Sequence, residues 1–274
     1  MDDALRGGAL AILDPDHTAL LRELDRTFAG WAAGAGEICP PPIYRIDDLR
    51  KFDIYKNFPH LSLVASELDV DRVVDAADSG AFGREQLLGA RFGLPSATCY
   101  GAYLFYENSQ VAAETTVTLV NRCFRREDSY GGLRRLLSFQ MREIVAIGSA
   151  EHAQDLLARL SVRIIAFATD LLLDVEKVPA SDPFFEQDGG RALLQKLSPV
   201  KHEFRCEDLA ISSVNTHRNF FGERCAITTA DTGEPAFTSC VAFGLERWVA
   251  VLVSRYGDPR KALAAVRDAA QRTN

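Results

Sequence analysis

The sequence contains no apolar run that approaches the roughly 18 residues of a membrane-spanning helix, so we expect no membrane partner. Its first residues, MDDALRGGALAIL, lack the basic segment that precedes the apolar part of a secretory signal. Low-complexity tracts are also missing from the 274 residues, of which 47% are hydrophobic and 25% are charged. These features are typical of a globular cytoplasmic protein that builds its core without disulfide support.

Cysteine pairs and two common nucleotide-binding loops are missing as well. No C-x-x-C pair occurs, and neither Gly-x-Gly-x-x-Gly nor a Walker loop is present, so a Rossmann or P-loop fold lacks its main support. The net charge of −7 argues against nucleic acid as the main partner, because phosphate backbones attract basic surfaces. In a cytoplasmic chain, scattered cysteines are expected to be free thiols or dispersed metal ligands. They are Cys39, Cys99, Cys123, Cys206, Cys225 and Cys240.

The periodicity of apolar residues predicts a mixed α+β fold. Helical spacing occurs in residues 17–33, 149–173 and 244–257. Strands are predicted at 115–127, at 138–148 and, joined by a turn at 231–234, within 225–243. Ser149 suits the start of the second helix, and Gly257 suits the end of the third. Antiparallel strands with helices packed on them indicate an α+β architecture rather than a doubly wound sheet.

The two strands around residue 130 carry side chains suited to nucleotide chemistry. Strand alternation places Arg125 and Glu127 on one face, and Phe139 and Glu143 on one face of the returning strand. The planar fork of Arg125 suits a phosphate, and Phe139 suits stacking on a base. A carboxylate buried without a partner costs several kcal/mol, so Glu143 would need a cation. The alternative is that these charges form cross-strand salt bridges, with Phe139 in the core.

Three further residues stand out by their position. Arg247 falls in the first turn of a predicted helix, where the helix dipole disfavours a cation and a bound anion would relieve the conflict. The alternative is that a neighbouring acid such as Glu246 offsets the charge. Cys99 and Cys240 lie in apolar segments that suggest strands. Taken alone, they are expected to be buried and inert.

Several segments resemble the catalytic core of class II aminoacyl-tRNA synthetases. FRRE and SFQMREIV resemble motif 2 of these enzymes, and FGLERW resembles their motif 3. Further segments of the chain match the family in the expected order. They lie at 47–61 and 98–100, before motif 2, and at 182–185, 215–223 and 239–248, after it. The chain most resembles the amino acid:carrier-protein ligases, which are truncated seryl-tRNA-synthetase-like enzymes without the tRNA-binding arm. The resemblance implies one class II synthetase-like domain over residues 1–274, with an antiparallel sheet flanked by helices, and a homodimer.

The resemblance also implies a zinc site. In this family, zinc is held by a cysteine after the first core segment, a glutamate of motif 2 and a cysteine before motif 3. The matching residues are Cys99, Glu143 and Cys240. Three protein ligands leave a fourth position open, which in the family takes the α-amino group of the substrate.

Roles in ATP binding follow from the same resemblance. Arg125 should contact the α-phosphate and the amino acid carboxylate, and Arg247 the γ-phosphate. Glu127 should hold the adenine amino group, while Phe139 stacks on the ring. Mg²⁺ should accompany the phosphates. Ala210 stands where the seryl enzymes carry a glutamate, so one expected contact to Mg²⁺ is missing. Ser213 and Asn215 remain available to bind this ion.

The implied activity is ATP-dependent activation of a small amino acid to the aminoacyl adenylate. Transfer to the phosphopantetheine thiol of a carrier protein follows. Other acceptors, namely tRNA, an amine or a small thiol, stay open, although the net charge makes tRNA the weaker choice. A catalytically silent paralogue and a zinc-stabilised structural dimer also remain as alternatives.

Two basic segments each allow more than one role. Residues 188–205 are expected to hold a helix for docking an acidic carrier through Arg191, Lys196 and Lys201, although a solvated helix face explains them equally well. Arg134 and Arg135 lie in the predicted loop of motif 2, where they serve the triphosphate, the acceptor or neither.

Overall fold

The computed structural model describes residues 8–32, 34–73, 78, 80–181 and 200–273. The strands are β1 (Gly36–Ile38), β2 (Tyr44–Arg45), β3 (Leu63–Ala65), β4 (Phe92–Leu94), β5 (Gln110–Val111), β6 (Glu114–Phe124), β7 (Ser138–Gly148), β8 (Val175–Ala180), β9 (Lys201–Cys206), β10 (Leu209–Arg218), β11 (Thr228–Thr229) and β12 (Phe237–Gly244). The helices are α1 (Pro15–Gly30), α2 (Ile46–Arg50), α3 (Ile54–Asn57), α4 (Tyr100–Phe105), α5 (Ala150–Asp170), α6 (Phe220–Arg224), α7 (Leu245–Tyr256) and α8 (Pro259–Thr273). A short 3₁₀ turn covers Arg84–Gln86.

A seven-stranded sheet forms the centre of the described fold, in the order β1-β6-β7-β12-β10-β9-β8. Every neighbouring pair in it is antiparallel except β1 and β6, which are parallel. The β6–β7 hairpin is paired along its full length, from Glu114 opposite Gly148 to Phe124 opposite Ser138. The predicted α+β fold with an antiparallel sheet is therefore confirmed.

One face of the sheet is covered by the long helices α1, α5, α7 and α8. An aromatic cluster fills this layer, in which Phe28 stacks on Phe243 of β12 with ring centroids 4.3 Å apart. Trp31, Phe167 and Trp248 pack around Phe28, and all of these rings are buried. Because this face is closed by apolar packing, any large ligand site has to lie on the opposite face.

Strand β7 carries two buried charges, and its alternation sends them to opposite faces. Arg142 points to the helical layer, where its guanidinium binds Asp25 of α1 at 2.7 Å and Glu37 of β1 at 2.7 Å. Glu143 points to the other face and has no salt bridge among the described residues. Arg142 is thus a structural link between α1, β1 and β7.

Replacing Arg142 by methionine should lower the free energy of unfolding by about 3 kcal/mol, because Asp25 and Glu37 lose the cation that they surround. Urea denaturation of the purified protein measures this change. Arg122→Met on the neighbouring strand is the matched control, since Arg122 is exposed and its loss should change stability by about 0.5 kcal/mol or less. If the urea concentrations at the midpoint of unfolding were equal for the two variants, a structural role for Arg142 would be contradicted.

Several predicted elements are confirmed. Helices α1, α5 and α7 lie within the predicted segments or extend two residues beyond them, and strands β6 and β7 form the predicted hairpin. The strand predicted over 115–127 ends at Phe124, so Arg125 and Glu127 lie in the loop after β6 and not on one face of a strand. The Ser149 side chain accepts a hydrogen bond from the amide of His152, as expected of a helix N-cap. Gly257 ends α7 with φ of +69°, a conformation that glycine adopts without strain.

Two further predictions are corrected, the second of them only in part. The segment around Cys99 is not a strand: Cys99 is the N-cap of α4, and periodicity alone does not separate such short apolar helices from strands. The expected hairpin within 225–243 forms only around its turn: Thr228 pairs antiparallel with Pro235, and Gly233 lies in the turn with φ of +71°. Beyond the turn, β11 pairs in parallel with β5 and not with β12. The helix expected within 188–205 stays a prediction, because residues 188–199 lie outside the described residues; Lys201–Cys206 form β9.

No helix in the described part of the chain has the length and apolar character needed to cross a membrane.

Candidate active site

A cavity of about 550 Å³ opens on the face of the sheet that the long helices leave uncovered. Its walls come from β7, β10 and β12, from the loop after β6, and from the short helices α4 and α6. Every predicted site residue lines it: Cys99, Arg125, Glu127, Phe139, Glu143, Ser213, Asn215, Cys240 and Arg247. Residues far apart in sequence thus share one space large enough for a nucleotide and a small molecule.

The three predicted metal ligands lie together at the floor of this cavity. One ligand atom from each of Cys99, Glu143 and Cys240 lies within 4.8 Å of the others, and all three residues are buried. They come from the N-cap of α4, from β7 and from β12. Two thiols and a carboxylate are a donor set that suits zinc, and three ligands leave a position open for a substrate.

Only one of the two oxygens of the Glu143 carboxylate has a hydrogen-bond partner of normal geometry among the described residues. Oε1 accepts a bond of 2.8 Å from the amide of Thr98, whereas Oε2 is buried without a hydrogen-bond partner of normal geometry in the part of the chain described. Burial raises the pKa of Glu143, against the opposing effects of the nearby Cys240 thiol and the Thr98 amide. A buried oxygen in this state indicates a missing partner.

The two thiols are held in their neutral forms by the same environment. The pKa of Cys99 is raised well above its usual value by its contact with Cys240 and by burial. For Cys240, the contact with Cys99 lowers the pKa, but burial and Glu143 outweigh it and raise the value to about 11. A divalent cation among the three groups would favour their charged forms at once, so the cluster fits zinc chemically. The zinc site itself stays a prediction.

Two arginines line the cavity without an ion pair in the described ranges. Nε and Nη2 of Arg125 donate to the carbonyl of Ser96 at 3.0 and 2.9 Å, and its guanidinium lies 5.2 Å from the ring centre of Phe139. Arg247 donates to the carbonyls of Arg134 and Ala210 at 3.1 and 3.0 Å. Carbonyls orient both side chains, and because neither guanidinium has an ion pair among the described residues, both can bind an anion.

Burial and the proximity of Arg125 lower the pKa of Arg247 to about 10, so it remains a cation at neutral pH. The acid next to it does not offset that charge. Glu246 accepts two hydrogen bonds from the amide of Gln140, at 3.0 and 2.8 Å. Among the described residues no salt bridge joins Arg125, Glu127 or Glu143, so the alternative of cross-strand salt bridges is wrong there. For Arg247, the charges of Glu127 and Glu203 act to raise the pKa and so offset part of its charge, as the alternative of a neighbouring acid allowed, although Glu246 is not that acid.

The remaining predicted residues line the walls beside the arginines. Glu127 is half-buried, and its amide donates to the hydroxyl of Tyr130 at 3.1 Å. On β10, the Asn215 side chain donates to Ser213 Oγ at 3.2 Å and to Cys240 Sγ at 3.4 Å. Asn215 therefore connects the predicted phosphate region with the predicted metal ligands.

Two cavity residues were missed by the sequence reasoning. Glu203 of β9 lies opposite Ser213 in the sheet and lines the cavity, whereas Ala210 offers no side-chain oxygen there. His217 follows Ser213 and Asn215 at a period of two along β10 and lines the cavity as well. Because alternate residues of a strand face the same side, this spacing in the sequence already indicated that His217 shares a face with Ser213 and Asn215. The position of Glu203 depends on the pairing of β9 with β10.

Comparisons with known proteins find relatives that cover most of this chain. No family model matches the chain. Amino acid–acyl-carrier-protein ligase 2 of Bradyrhizobium diazoefficiens is 36% identical over 231 residues, which are 79% of this chain and 69% of that protein. Ligase 1 of the same organism is 35% identical over 251 residues, 86% of this chain and 76% of that protein. The chain belongs to the amino acid–acyl-carrier-protein ligase family.

The fold of this family member is also that of seryl-tRNA synthetases. In the crystal structure of A. aeolicus tRNASec in complex with M. kandleri SerRS, the protein superposes on this chain with a TM-score of 0.75 at 20% identity. The match covers 96% of this chain and 57% of that one. At this level of identity the likeness shows the fold alone, and it places the ligase among class II synthetase-like proteins.

Proposed function

We propose that the protein activates a small amino acid with ATP and transfers the aminoacyl group to the phosphopantetheine thiol of a carrier protein. The chain belongs to a ligase family whose two compared members are named for an amino acid and an acyl carrier protein. The observation that carries the proposal is the shared cavity: two arginines without an ion pair among the described residues lie in the same space as a buried Cys–Glu–Cys cluster.

In the first step, a carboxylate oxygen of the amino acid attacks the α-phosphorus of ATP, and the bond to pyrophosphate breaks. No general base is needed, because the carboxylate is already an anion. Arg125 holds the carboxylate and the α-phosphate in line, while Arg247 takes negative charge of the leaving pyrophosphate. Phe139 stacks on adenine beside Arg125, and Glu127 accepts from its amino group.

The amino end of the substrate is bound at the floor of the cavity. Cys99, Glu143 and Cys240 would hold zinc, which when bound supplies a Lewis-acid position for the α-amino group. The Thr98 amide orients Glu143, and Asn215 orients Cys240.

The phosphates of ATP need a second group of residues. Glu203 provides the carboxylate that Ala210 lacks, next to Ser213 and Asn215, and together they would accompany Mg²⁺.

In the second step, the sulfur of the carrier thiol attacks the aminoacyl carbonyl. A C–S bond forms, the bond to the AMP oxygen breaks, and the thiol proton is released as AMP leaves. The same proposal includes a cytoplasmic homodimer in which residues 1–274 act as one catalytic domain, and an acceptor that is a carrier protein rather than tRNA.

Amino-acid-dependent exchange of pyrophosphate into ATP tests adenylation on zinc-replete protein. We expect exchange with one or two small amino acids, because adenylate formation is reversible while the acceptor is withheld. Radiolabelled amino acid should then be transferred to a phosphopantetheinylated carrier protein, with the unmodified carrier as the matched control. No exchange with any proteinogenic amino acid would favour a non-proteinogenic substrate or the silent paralogue. Transfer to tRNA or to the unmodified carrier would contradict the proposed acceptor.

A further inference from the structure

A hydrogen-bonded chain of side chains leads from the buried wall of the cavity to a predicted metal ligand. The hydroxyl of Tyr103 lies 3.1 Å from Nδ1 of His217. On the other side of the ring, Nε2 of His217 lies 3.8 Å from Sγ of Cys240. The proposed function uses Cys240 but has no role for His217 or Tyr103.

Aromatic packing holds this chain in place. Tyr103 is fully buried and stacks on Phe221 of α6, with ring centroids 4.0 Å apart. His217 meets Phe221 edge to face at 4.9 Å. An imidazole enclosed in this way has few orientations, so the direction of Nε2 is set by packing as well as by the hydrogen bond to Tyr103.

The hydrogen bond at Nδ1 also selects the proton position on the ring. When the Tyr103 hydroxyl donates to Nδ1, the neutral imidazole carries its proton on Nε2, the nitrogen that faces Cys240. Sγ of Cys240 then accepts from two sides, from His217 and from Asn215 at 3.4 Å. Such donors to a ligand orient it and adjust how strongly it binds a metal.

His217 lies beside the predicted ligand set rather than within it. The group whose ligand atoms all lie within 4.8 Å of one another contains Cys99, Glu143 and Cys240, and His217 is not a member of it. Its Nε2 lies within hydrogen-bond reach of Cys240 Sγ, which is the arrangement of a hydrogen-bond donor to a ligand.

We propose that His217, oriented by Tyr103, is a positioning residue that donates a hydrogen bond to Cys240 Sγ and thereby sets the metal affinity of the Cys99–Glu143–Cys240 site. The inference rests on the metal site of the proposed function. It goes beyond that function by assigning part of the metal affinity to residues that bind neither metal nor ATP.

Zinc affinity of the full chain, measured by competition with a chromophoric chelator, tests the inference. His217→Ala should raise the zinc Kd by at least about 10-fold. Tyr103→Phe should raise it less, because the ring of His217 keeps its place. The double variant should match His217→Ala alone, since Tyr103 acts only through His217. His152→Ala is the matched control with unchanged affinity, because His152 is half-buried and bonded to Thr116 but lies outside the cavity.

A spectroscopic readout separates hydrogen bonding from space filling. In the Co²⁺-loaded protein, the thiolate-to-cobalt absorption band should shift in His217→Ala and return towards its original position in His217→Gln, which restores an N–H donor. The melting temperatures of the metal-free variants check that each one folds. Tyr103→Phe keeps the inference testable if both His217 variants fail to fold.

Four outcomes would overturn the inference. They are unchanged zinc affinity and an unshifted cobalt band in His217→Ala, additive effects in the double variant, an imidazole among the direct ligands by X-ray absorption, and a wild-type protein that takes up no zinc. Pyrophosphate exchange is measured separately. A protein that binds zinc as described but shows no exchange would therefore refute the proposed function and leave this inference standing.

Discussion

Replacement of Arg125 by alanine should reduce kcat/KM for amino-acid-dependent pyrophosphate exchange by roughly 10³-fold. Arg125 is the residue that we place on both reacting groups, the amino acid carboxylate and the α-phosphate. Its guanidinium is already oriented by the Ser96 carbonyl and by the ring of Phe139. Arg125→Lys should recover only a small part of the loss, because an ammonium group keeps the charge without the planar fork.

The neighbouring arginine provides the control for this experiment. Arg126 carries the same charge one residue further along the chain, but it is exposed and does not line the cavity. Arg126→Ala should leave exchange within about 2-fold of the unmodified protein, as expected for a surface substitution. Similar losses in both variants would mean that general positive charge, and not the oriented fork of Arg125, supports the reaction.

Removal of the Glu143 carboxylate is the second change with a large expected effect. Glu143→Gln keeps the size of the side chain and the bond to the Thr98 amide, but it replaces one carboxylate oxygen by an N–H group that cannot bind a cation. We expect zinc in the purified protein to fall from about one ion per chain to a trace, with exchange reduced by about 10²-fold or more. Metal analysis by plasma mass spectrometry and the exchange assay measure the two effects.

Arg142→Met is the matched control for Glu143→Gln. Both substitutions remove a buried charge from β7, at adjacent positions that face opposite sides of the sheet. Arg142→Met should lower stability and retain zinc, whereas Glu143→Gln should lose zinc. Retention of zinc by Glu143→Gln, or its loss from a folded Arg142→Met variant, would contradict the assignment of the metal site to this face.

Local patterns were enough to predict the hairpin that carries much of the candidate site. Strand alternation depends only on the period of two, so it correctly placed Phe139 and Glu143 on one face of β7. The helix that begins at Leu245 was predicted from its apolar stripe and from Gly257, and it puts Arg247 in its first turn. These predictions succeed because each rests on residues that are neighbours along one element.

The environment of Cys99 shows where local patterns fail. The segment around it is apolar and aromatic, which fits a strand and a short helix equally well, and the structure makes it the N-cap of α4. Its tertiary neighbours, Glu143 of β7 and Cys240 of β12, decide the surroundings of the thiol. The resemblance to known enzymes named these three residues together, but spacing along the chain would not have done so.

What the sequence determined by itself is the α+β class, the β6–β7 hairpin, the main helices and, through resemblance, the set of residues to consider. Only the tertiary structure decided which charges on β7 already have partners. Arg142 and Glu143 are adjacent and both buried, yet Arg142 is neutralised by Asp25 and Glu37, which α1 and β1 bring to one face. Glu143 is left on the other face with Oε2 lacking a partner in the described structure. The physical reason is that a pairing between charges depends on distance in space, which is set only when separate elements pack together.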